Sequence, residues 1–190
     1  MAKKTQLKEV PKAQNLKLDL GCGKNKREGF LGVDEIKFDN VDVVANLRQK
    51  WPWEDGSVEE VNMSHVLEHF TAEERVHVFN ELYRVLRIGG KALIITPYWC
   101  SNRAYGDFTH QWPPVCEMLY NYLWREWRKA NAPHNDIEFN PKGYSCDFDY
   151  AYGYNVHPTI QQKNQEAQVF ALSFYKEAAQ DLICTVTKNR

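Results

Sequence analysis

The stretch SHVLEHF, residues 64–70, contains two histidines and a glutamate in the order H-x-x-E-H. On a helix, this spacing lets the histidines bind zinc while the glutamate acts as a general base. Here the stretch follows a predicted strand and precedes a predicted helix, so the histidines fall in a loop. The pattern therefore predicts no peptidase and no metal site. A metal bound by His65 or His69 with Asp107 or His110 remains an open alternative.

The segment DFTH, residues 107–110, offers a second set of reactive side chains. An imidazole titrates near neutral pH, so we expect His110 to act as a general base with Asp107 orienting it. The same two side chains could instead only pin the loop through hydrogen bonds. Nearby rings are compatible with an aromatic substrate pocket or with ordinary packing, and they belong to Tyr98, Trp99, Tyr105 and Trp112.

A glycine-rich turn, Gly21-Cys22-Gly23, follows the first predicted strand. Ligands bind at the carboxyl ends of the strands in open α/β sheets. The dinucleotide fingerprint G-x-G-x-x-G is incomplete, because Lys26 occupies the third glycine position. Asp34 ends the second predicted strand, where a carboxylate can accept hydrogen bonds from both hydroxyls of a ribose. The turn and this carboxylate together predict a nucleoside-binding edge rather than a pyrophosphate site.

Short aliphatic runs and one long amphipathic stretch predict the elements that position these residues. The predicted strands are residues 16–20, 30–34, 41–45, 58–63 and 91–96. A helix is predicted from Thr71 to about Arg87, with Thr71 and Glu74 as a capping box and Gly89-Gly90 ending it. Strand, helix and strand form a βαβ unit, which indicates a parallel α/β sheet. The six residues between Gly23 and Phe30 are too few for a complete helix.

The chain after Pro97 is rich in aromatic residues, prolines and asparagines, and residues 98–165 are predicted to be a substrate-side insertion. One helix is predicted there, from Pro114 to about Lys129. The rings of the aromatic tract 139–157 are interpreted as too unevenly spaced for a strand, so this tract is a lid, a dimer contact or a cap on the core. Two final strands, residues 168–174 and 181–187, are expected to pair antiparallel.

The composition describes one ordinary domain over residues 1–190, with a flexible N-terminus at residues 1–14. The chain is 43% hydrophobic and 26% charged with a net charge of -1, which gives no general attraction to nucleic acid or membranes. Its five cysteines include no C-x-x-C pair, so neither a disulfide framework nor a cysteine zinc site is indicated. The start of the chain lacks an apolar signal, and a cytoplasmic location is expected.

Several motifs resemble, in order and spacing, those of the class I S-adenosylmethionine-dependent methyltransferases, in particular the small type 11 group. They are DLGCG, GVDE, WPWEDGSVEEVNMSHVLEHF and ELYRVLRIGGKALIITP, and the resemblance covers residues 16–97. It implies a Rossmann-like α/β fold with a mainly parallel seven-stranded sheet of order 3-2-1-4-5-7-6, a terminal antiparallel hairpin and an aromatic-rich insertion after strand 5. It also implies S-adenosylmethionine as the cofactor.

The same resemblance assigns the cofactor-binding residues. The turn after the first strand would line the methionine portion, and Asp34 would hold the ribose. Asn46 stands where similar proteins place an acid beside the adenine, and its amide oxygen could still accept a hydrogen bond. The end of the fourth strand would border the sulfonium, which makes His65 a third candidate catalytic residue. The complete set is Asp19, Gly21, Cys22, Gly23, Asp34, Asn46, Leu47, Ser64 and His65.

The function implied by the resemblance is methyl transfer to an oxygen or nitrogen of a small-molecule acceptor. Methylation of nucleic acid or protein, and a non-catalytic cofactor-binding module, are the alternatives. TPYW, residues 96–99, is similar to the D-P-P-Y element of DNA amino-methyltransferases, but it follows the fifth strand instead of the fourth. Nucleic acid is therefore not the favoured acceptor. No membrane association is expected, and the oligomeric state stays open, with a homodimer as one option.

Overall fold

A computed structural model describes residues 14–189 and contains a seven-stranded sheet of order β3-β2-β1-β4-β5-β7-β6. Strands β1 to β5 run parallel, and β7 runs antiparallel to both β5 and β6. The predicted strand order is thus confirmed. The strands are β1 (Leu16–Leu20), β2 (Leu31–Asp34), β3 (Val43–Val44), β4 (Val58–Ser64), β5 (Leu86–Pro97), β6 (Asp149–Val156) and β7 (Ala179–Thr187).

The main helix is α1 (Ala72–Val85), and it starts where the sequence predicts. Thr71 Oγ1 accepts from the backbone N–H of Glu74 at 3.3 Å, and a carboxylate oxygen of Glu74 accepts from the Thr71 N–H at 2.8 Å. The predicted end at Gly89-Gly90 is wrong, because Leu86 already has extended geometry and begins β5. The two glycines lie in a bulge of β5, where the pairing with β4 shifts register.

The central strands bury one continuous apolar face. The registers align Leu18 with Val61, Val61 with Ala92, and Ala92 with Val186, and all four side chains are fully buried. On the opposite face, Lys17 forms an ion pair of 3.0 Å with Glu60. Among the described residues, no helix lies between β1 and β4, so the loops after these strands are free to shape a site at their carboxyl ends. The expected absence of a helix between Gly23 and Phe30 is confirmed.

The remaining helices are short: α2 (Arg103–Gly106), α3 (Met118–Asn121), α4 (Arg125–Asn131), α5 (Pro158–Gln161) and α6 (Gln165–Phe174). The single helix predicted from Pro114 to Lys129 is wrong, because Trp124 is extended and separates α3 from α4. Distant residues bind the interrupted backbone there. Asp147 accepts from the Arg125 N–H at 3.0 Å, and the Leu123 carbonyl accepts from the Phe148 N–H at 2.9 Å.

The partner of β7 also differs from the prediction. Residues 168–174 are helical instead of extended, because Asn164 caps α6 by accepting from the Ala167 N–H at 2.9 Å. The strand beside β7 is β6, which lies within the aromatic tract and within the predicted insertion. Its tyrosines at 150, 152 and 154 pair in register with Val186, Cys184 and Leu182. The antiparallel pair at the end of the chain exists, but its first strand comes from earlier in the sequence.

None of the helices in residues 14–189 combines the length and the hydropathy that crossing a bilayer requires. The predicted flexible N-terminus, residues 1–14, falls almost wholly outside the described residues.

Candidate functional site

A cleft of about 240 Å³ lies at the carboxyl ends of β1, β2 and β4, where an open α/β sheet binds its ligands. Four of the residues predicted to bind the cofactor lie in its wall, namely Gly21, Asp34, Leu47 and His65. The other wall residues are Glu35, Ala45, Arg48, Val66, His69 and Phe70. The wall thus combines carboxylates and an arginine with aliphatic and aromatic surface.

Gly21 is required both by its backbone geometry and by the space around it. Its φ is +65°, and a Cβ at this position would lie 2.4 Å from Cγ2 of Val66. Its N–H donates to the carbonyl of Val33 at 2.8 Å, which ties the turn after β1 to β2. Any side chain here would strain the turn and collide with Val66, which also lines the cleft.

Asp34 connects the two loops that frame the cleft. One carboxylate oxygen accepts from the Gly23 N–H and the other from the Ile36 N–H, both at 2.9 Å. Each oxygen of a carboxylate can accept more than one hydrogen bond, so both retain capacity for a ligand hydroxyl. Asp34 thus lies at the end of β2, as predicted, and lines the cleft, while its binding of a ribose remains a prediction.

Asp19 and Cys22 lie behind the turn and do not line the cleft. Asp19 is buried, and its oxygens accept from the Arg27 N–H at 2.7 Å and from the Asn62 side-chain amide at 2.6 Å. The thiol of Cys22 is buried as well. Its burial, together with the negative charges of Asp19 and Asp34, raises its pKa to about 11. Both residues shape the glycine turn from inside.

Of the remaining predicted cofactor residues, Leu47 and His65 line the cleft, whereas Gly23, Asn46 and Ser64 do not. Asn46 is exposed, and its side-chain oxygen accepts from the Arg48 N–H at 2.9 Å, which forms a local turn. That turn directs Leu47 and Arg48 into the wall. Ser64 ends β4 directly before His65, and its side chain lies in neither of the two cavities described here.

A second cavity, of about 600 Å³, adjoins the cleft. His65 and His69 line both spaces, so the two cavities share a wall. The other residues around the second cavity are Glu68, Pro97, Arg103, Gly106, Asp107, Phe108 and His110. The H-x-x-E-H motif and the DFTH segment, which are distant in sequence, therefore meet at one site.

His65 occupies the junction in an uncommon backbone conformation. Its φ is +57°, a region that residues other than glycine rarely adopt and that recurs at functional sites. The ring stands between two acids, with Nδ1 3.3 Å from Glu68 Oε1 and Nε2 3.8 Å from Asp181 Oδ1. This turn at the end of β4 directs the imidazole between the two cavities.

The DFTH segment is organised around Thr109. The Thr109 hydroxyl donates to Asp107 Oδ1 at 2.7 Å and lies 2.9 Å from His69 Nδ1. Asp107 also accepts from the Thr109 N–H, and these bonds hold the pKa of its carboxyl below the ordinary value. Asp107 Oδ2 is 4.0 Å from His110 Nε2, which is too far for a hydrogen bond. Asp107 thus orients Thr109 directly, whereas its predicted role on His110 remains a prediction.

Arg75, a buried residue of α1, fixes the position of this loop. Its guanidinium donates to the carbonyls of Leu67 at 3.2 Å, Gln111 at 3.2 Å and Pro113 at 2.6 Å. The Gln111 N–H in turn donates to the carbonyl of Glu68 at 2.8 Å. The rings of His69 and His110 consequently meet edge to face with centroids 4.8 Å apart.

Three residues that the geometry brings into the site were not predicted from the sequence. They are Arg48, Thr109 and, as a member of the site, Glu68. Arg48 packs over the ring of Phe70 at 4.8 Å and pairs with Glu74 at 3.0 Å. For Glu68, the H-x-x-E-H spacing was the one sequence pattern that pointed to a functional role. Arg48 and Thr109 belong to no such pattern, although both lie close in sequence to predicted site residues.

The aromatic residues considered for a substrate pocket pack elsewhere. Tyr98 is buried and donates to Glu117 at 2.6 Å, and Tyr105 donates to the carbonyl of Trp99 at 2.8 Å. Trp112 is mostly exposed. None of the four, including Trp99, lines either cavity.

Comparison with known proteins finds a matching family model and similar folds. Residues 23–94 match the type 11 family model of the methyltransferase domain. A SAM-dependent methyltransferase from Archaeoglobus fulgidus has a similar structure with a TM-score of 0.63 at 18% identity, covering 93% of this chain and 87% of that chain. The YcgJ protein from Bacillus subtilis gives a TM-score of 0.52 at 13% identity, with 94% of each chain covered. No curated protein matched the chain.

Proposed function

We propose that the chain is a class I S-adenosylmethionine-dependent methyltransferase of the type 11 group and that it methylates an oxygen or nitrogen of a small-molecule acceptor. The observation that carries this proposal is the shared wall between the 240 Å³ cleft and the 600 Å³ cavity. A methyl donor in the first space and an acceptor in the second would meet beside His65. Proximity and alignment are the main requirement of such a transfer.

The cleft fits S-adenosylmethionine in its chemistry. Asp34 offers carboxylate oxygens with spare acceptor capacity to the ribose hydroxyls, and Leu47 and Phe70 offer apolar surface to the adenine. Because Gly21 has no side chain, the methionine portion of the ligand can approach the protein backbone at the end of β1. When bound, the cofactor supplies a methyl group on a positively charged sulfur.

The second cavity suits a compact acceptor. Its volume lies within the range of about 300–1,000 Å³ that is usual for small-molecule sites. Pro97 and Phe108 contribute apolar surface, while His65 and His110 provide groups that could accept a proton from the acceptor. The net charge of -1 gives no support to a polyanionic acceptor such as nucleic acid.

Calorimetry with S-adenosylhomocysteine tests the cofactor half of the proposal. Asp34→Asn removes a charged acceptor, so we expect affinity to fall by about 10- to 100-fold, as for loss of a hydrogen bond to a charged group. Asp39→Asn is the matched control, because Asp39 is exposed on the same loop and does not line the cleft. No binding by the wild type, or equal losses in the two variants, would contradict the proposal.

A screen of acceptors tests the transfer half. Release of S-adenosylhomocysteine is measured with hydroxylated and amine-bearing small molecules, and separately with RNA, DNA and unfolded protein. We expect turnover with a member of the first group. Turnover only with a macromolecule would overturn the assignment of acceptor, and tight cofactor binding without turnover on any class would indicate a non-catalytic module.

A further inference from the structure

We propose that Glu68, His69 and His110 form a binding site for one divalent transition-metal ion, with zinc preferred, in the wall of the second cavity. One potential ligand atom from each of the three residues lies within 4.8 Å of the others. Two imidazoles and one carboxylate are the ligand set of many zinc sites that keep a position open for substrate. The binding of the metal stands on geometry alone, whereas its action on an acceptor rests on the proposed function.

Glu68 provides the most direct evidence. Its side chain is only 6% exposed, yet neither carboxylate oxygen accepts a hydrogen bond within the described structure. Nδ1 of His65 is 3.3 Å from Glu68 Oε1, without hydrogen-bond geometry. A buried carboxylate without partners is costly, and such groups are usually paired or bound to a metal.

His69 is held in the form that a metal ligand requires. The hydroxyl proton of Thr109 goes to Asp107, because a carboxylate can only accept. The bond of 2.9 Å between His69 Nδ1 and Thr109 Oγ1 must then be donated by the imidazole. In the neutral imidazole the proton therefore resides on Nδ1, which leaves the lone pair on Nε2. Zinc-binding histidines are commonly oriented by such an outer hydrogen bond.

His110 completes the set from the opposite side. Its side chain is 11% exposed, and Nδ1 is buried without a hydrogen-bond partner in the described residues. The loop that carries it cannot easily withdraw, because Arg75 and the backbone of Glu68 bind its next residues. The site thus contains three unpaired buried polar atoms, two on Glu68 and one on His110, in the wall of a cavity.

The spacing is that of a site ready to contract around an ion. Ligand atoms of tetrahedral zinc, at about 2.0–2.2 Å from the metal, lie about 3.4 Å apart. Side-chain rotations that close the present 4.8 Å by about 1 Å to 1.5 Å would satisfy this geometry. Since all three residues line the second cavity, the remaining coordination position faces the acceptor space. A hydroxyl bound there would have a lowered pKa, which favours an oxygen acceptor.

Metal titration of chelator-treated protein tests the site. Zinc chloride added to the wild type should bind with one-to-one stoichiometry in calorimetry and raise the melting temperature. Glu68→Gln keeps the shape of the side chain but removes its charge. Loss of a residue that only hydrogen-bonds to a metal ligand weakens metal affinity by about 10- to 100-fold, and loss of the ligand itself should weaken zinc binding more than that. His134→Gln is the control, because His134 lies in an exposed turn remote from both cavities.

The stability of metal-free protein distinguishes a ligand from a structural group. If Glu68 is an unpaired ligand, Glu68→Gln without metal should melt at the same temperature as the wild type or higher, and zinc should reverse the order. A variant that is less stable without metal and equally shifted by zinc would overturn the proposal, as would a wild type that binds no zinc. Cofactor binding by the metal-free wild type is measured separately, so failure of the metal site and failure of the methyltransferase assignment give different results.

Discussion

The two adjoining cavities differ in how their polar groups are satisfied. In the cleft at the strand ends, Gly21 and Gly23 donate to fixed acceptors, and both oxygens of Asp34 already bind backbone N–H groups. In the second cavity, the oxygens of Glu68 and one nitrogen of His110 are buried without partners. Paired groups give a rigid shape suited to a constant ligand. Unpaired groups cost free energy until something binds them, which suits a space where chemistry occurs.

Replacing His110 should have the largest effect, and the effect should be confined to the second cavity, where the acceptor would bind. As a base or as a metal ligand, His110 acts on the acceptor, so we expect His110→Gln to lower kcat by about 100- to 10,000-fold. The affinity for S-adenosylhomocysteine should stay within about twofold, because His110 does not line the cleft. His134→Gln should change neither quantity. If His110→Gln lowered turnover and cofactor affinity together, the proposal that the two cavities have separate roles would be contradicted.

Gly21→Ala should instead weaken the binding of the cofactor in the cleft. A left-handed conformation costs a non-glycine residue about 1–2 kcal/mol, and the collision with Val66 adds about 1–3 kcal/mol. We therefore expect calorimetry to show affinity for S-adenosylhomocysteine lowered by about 30- to 5,000-fold. Gly29→Ala carries the same backbone cost at φ +80° with nothing within 4 Å of its Cβ, so it isolates the collision. Val66→Ala in the Gly21→Ala background should restore part of the affinity, and equal effects of the two glycine variants would contradict this account.

Reactivity of Cys22 should show how tightly the glycine turn is closed. With a pKa of about 11, about one thiol in a thousand is ionised at pH 8, against about one in eleven for a thiol with the ordinary value of 9.0. Alkylation of Cys22, followed by peptide mass spectrometry, should be about 90-fold slower than in the unfolded chain and rise about tenfold per pH unit up to about pH 11. The folded thiol keeps its proton above the unfolded value of 9.0, so this group also lowers stability as pH rises from about 9 to about 11. Rapid alkylation at pH 8 would mean that the turn opens.

The sequence predicted the cleft better than the cavity because the cleft is encoded locally. Short aliphatic runs, the Gly21-Cys22-Gly23 turn and the capping box at Thr71 each depend on neighbouring residues. The second cavity depends on Arg75, which joins three carbonyls from two separate loops. No sequence pattern predicts the hydrogen bonds of Arg75 to these carbonyls. The sequence left the pairing of His69 with His110 open as one alternative, and the structure brings the two rings into contact.

The errors at the end of the chain have a similar physical origin. A continuous apolar run does not distinguish strand from helix, and the Asn164 cap decided the matter for α6. The tyrosines at 150, 152 and 154 do repeat with the period of a strand, but the surrounding rings and glycine obscured it. Pairing with β7 stabilises that segment in extended form, and this long-range contact outweighs local preference.

Thr109→Val should produce the smallest change and give the finest comparison of the two cavities. The substitution keeps the shape of the side chain but removes the hydroxyl that links His69 to Asp107. Loss of one such bond is worth about 1 kcal/mol, so kcat should fall about fivefold while cofactor affinity stays unchanged. Thr109→Ser retains the hydroxyl and should behave like the wild type. If Thr109→Val instead weakened cofactor binding, His69 would transmit its orientation to the cleft, and the wall that the two cavities share would couple them.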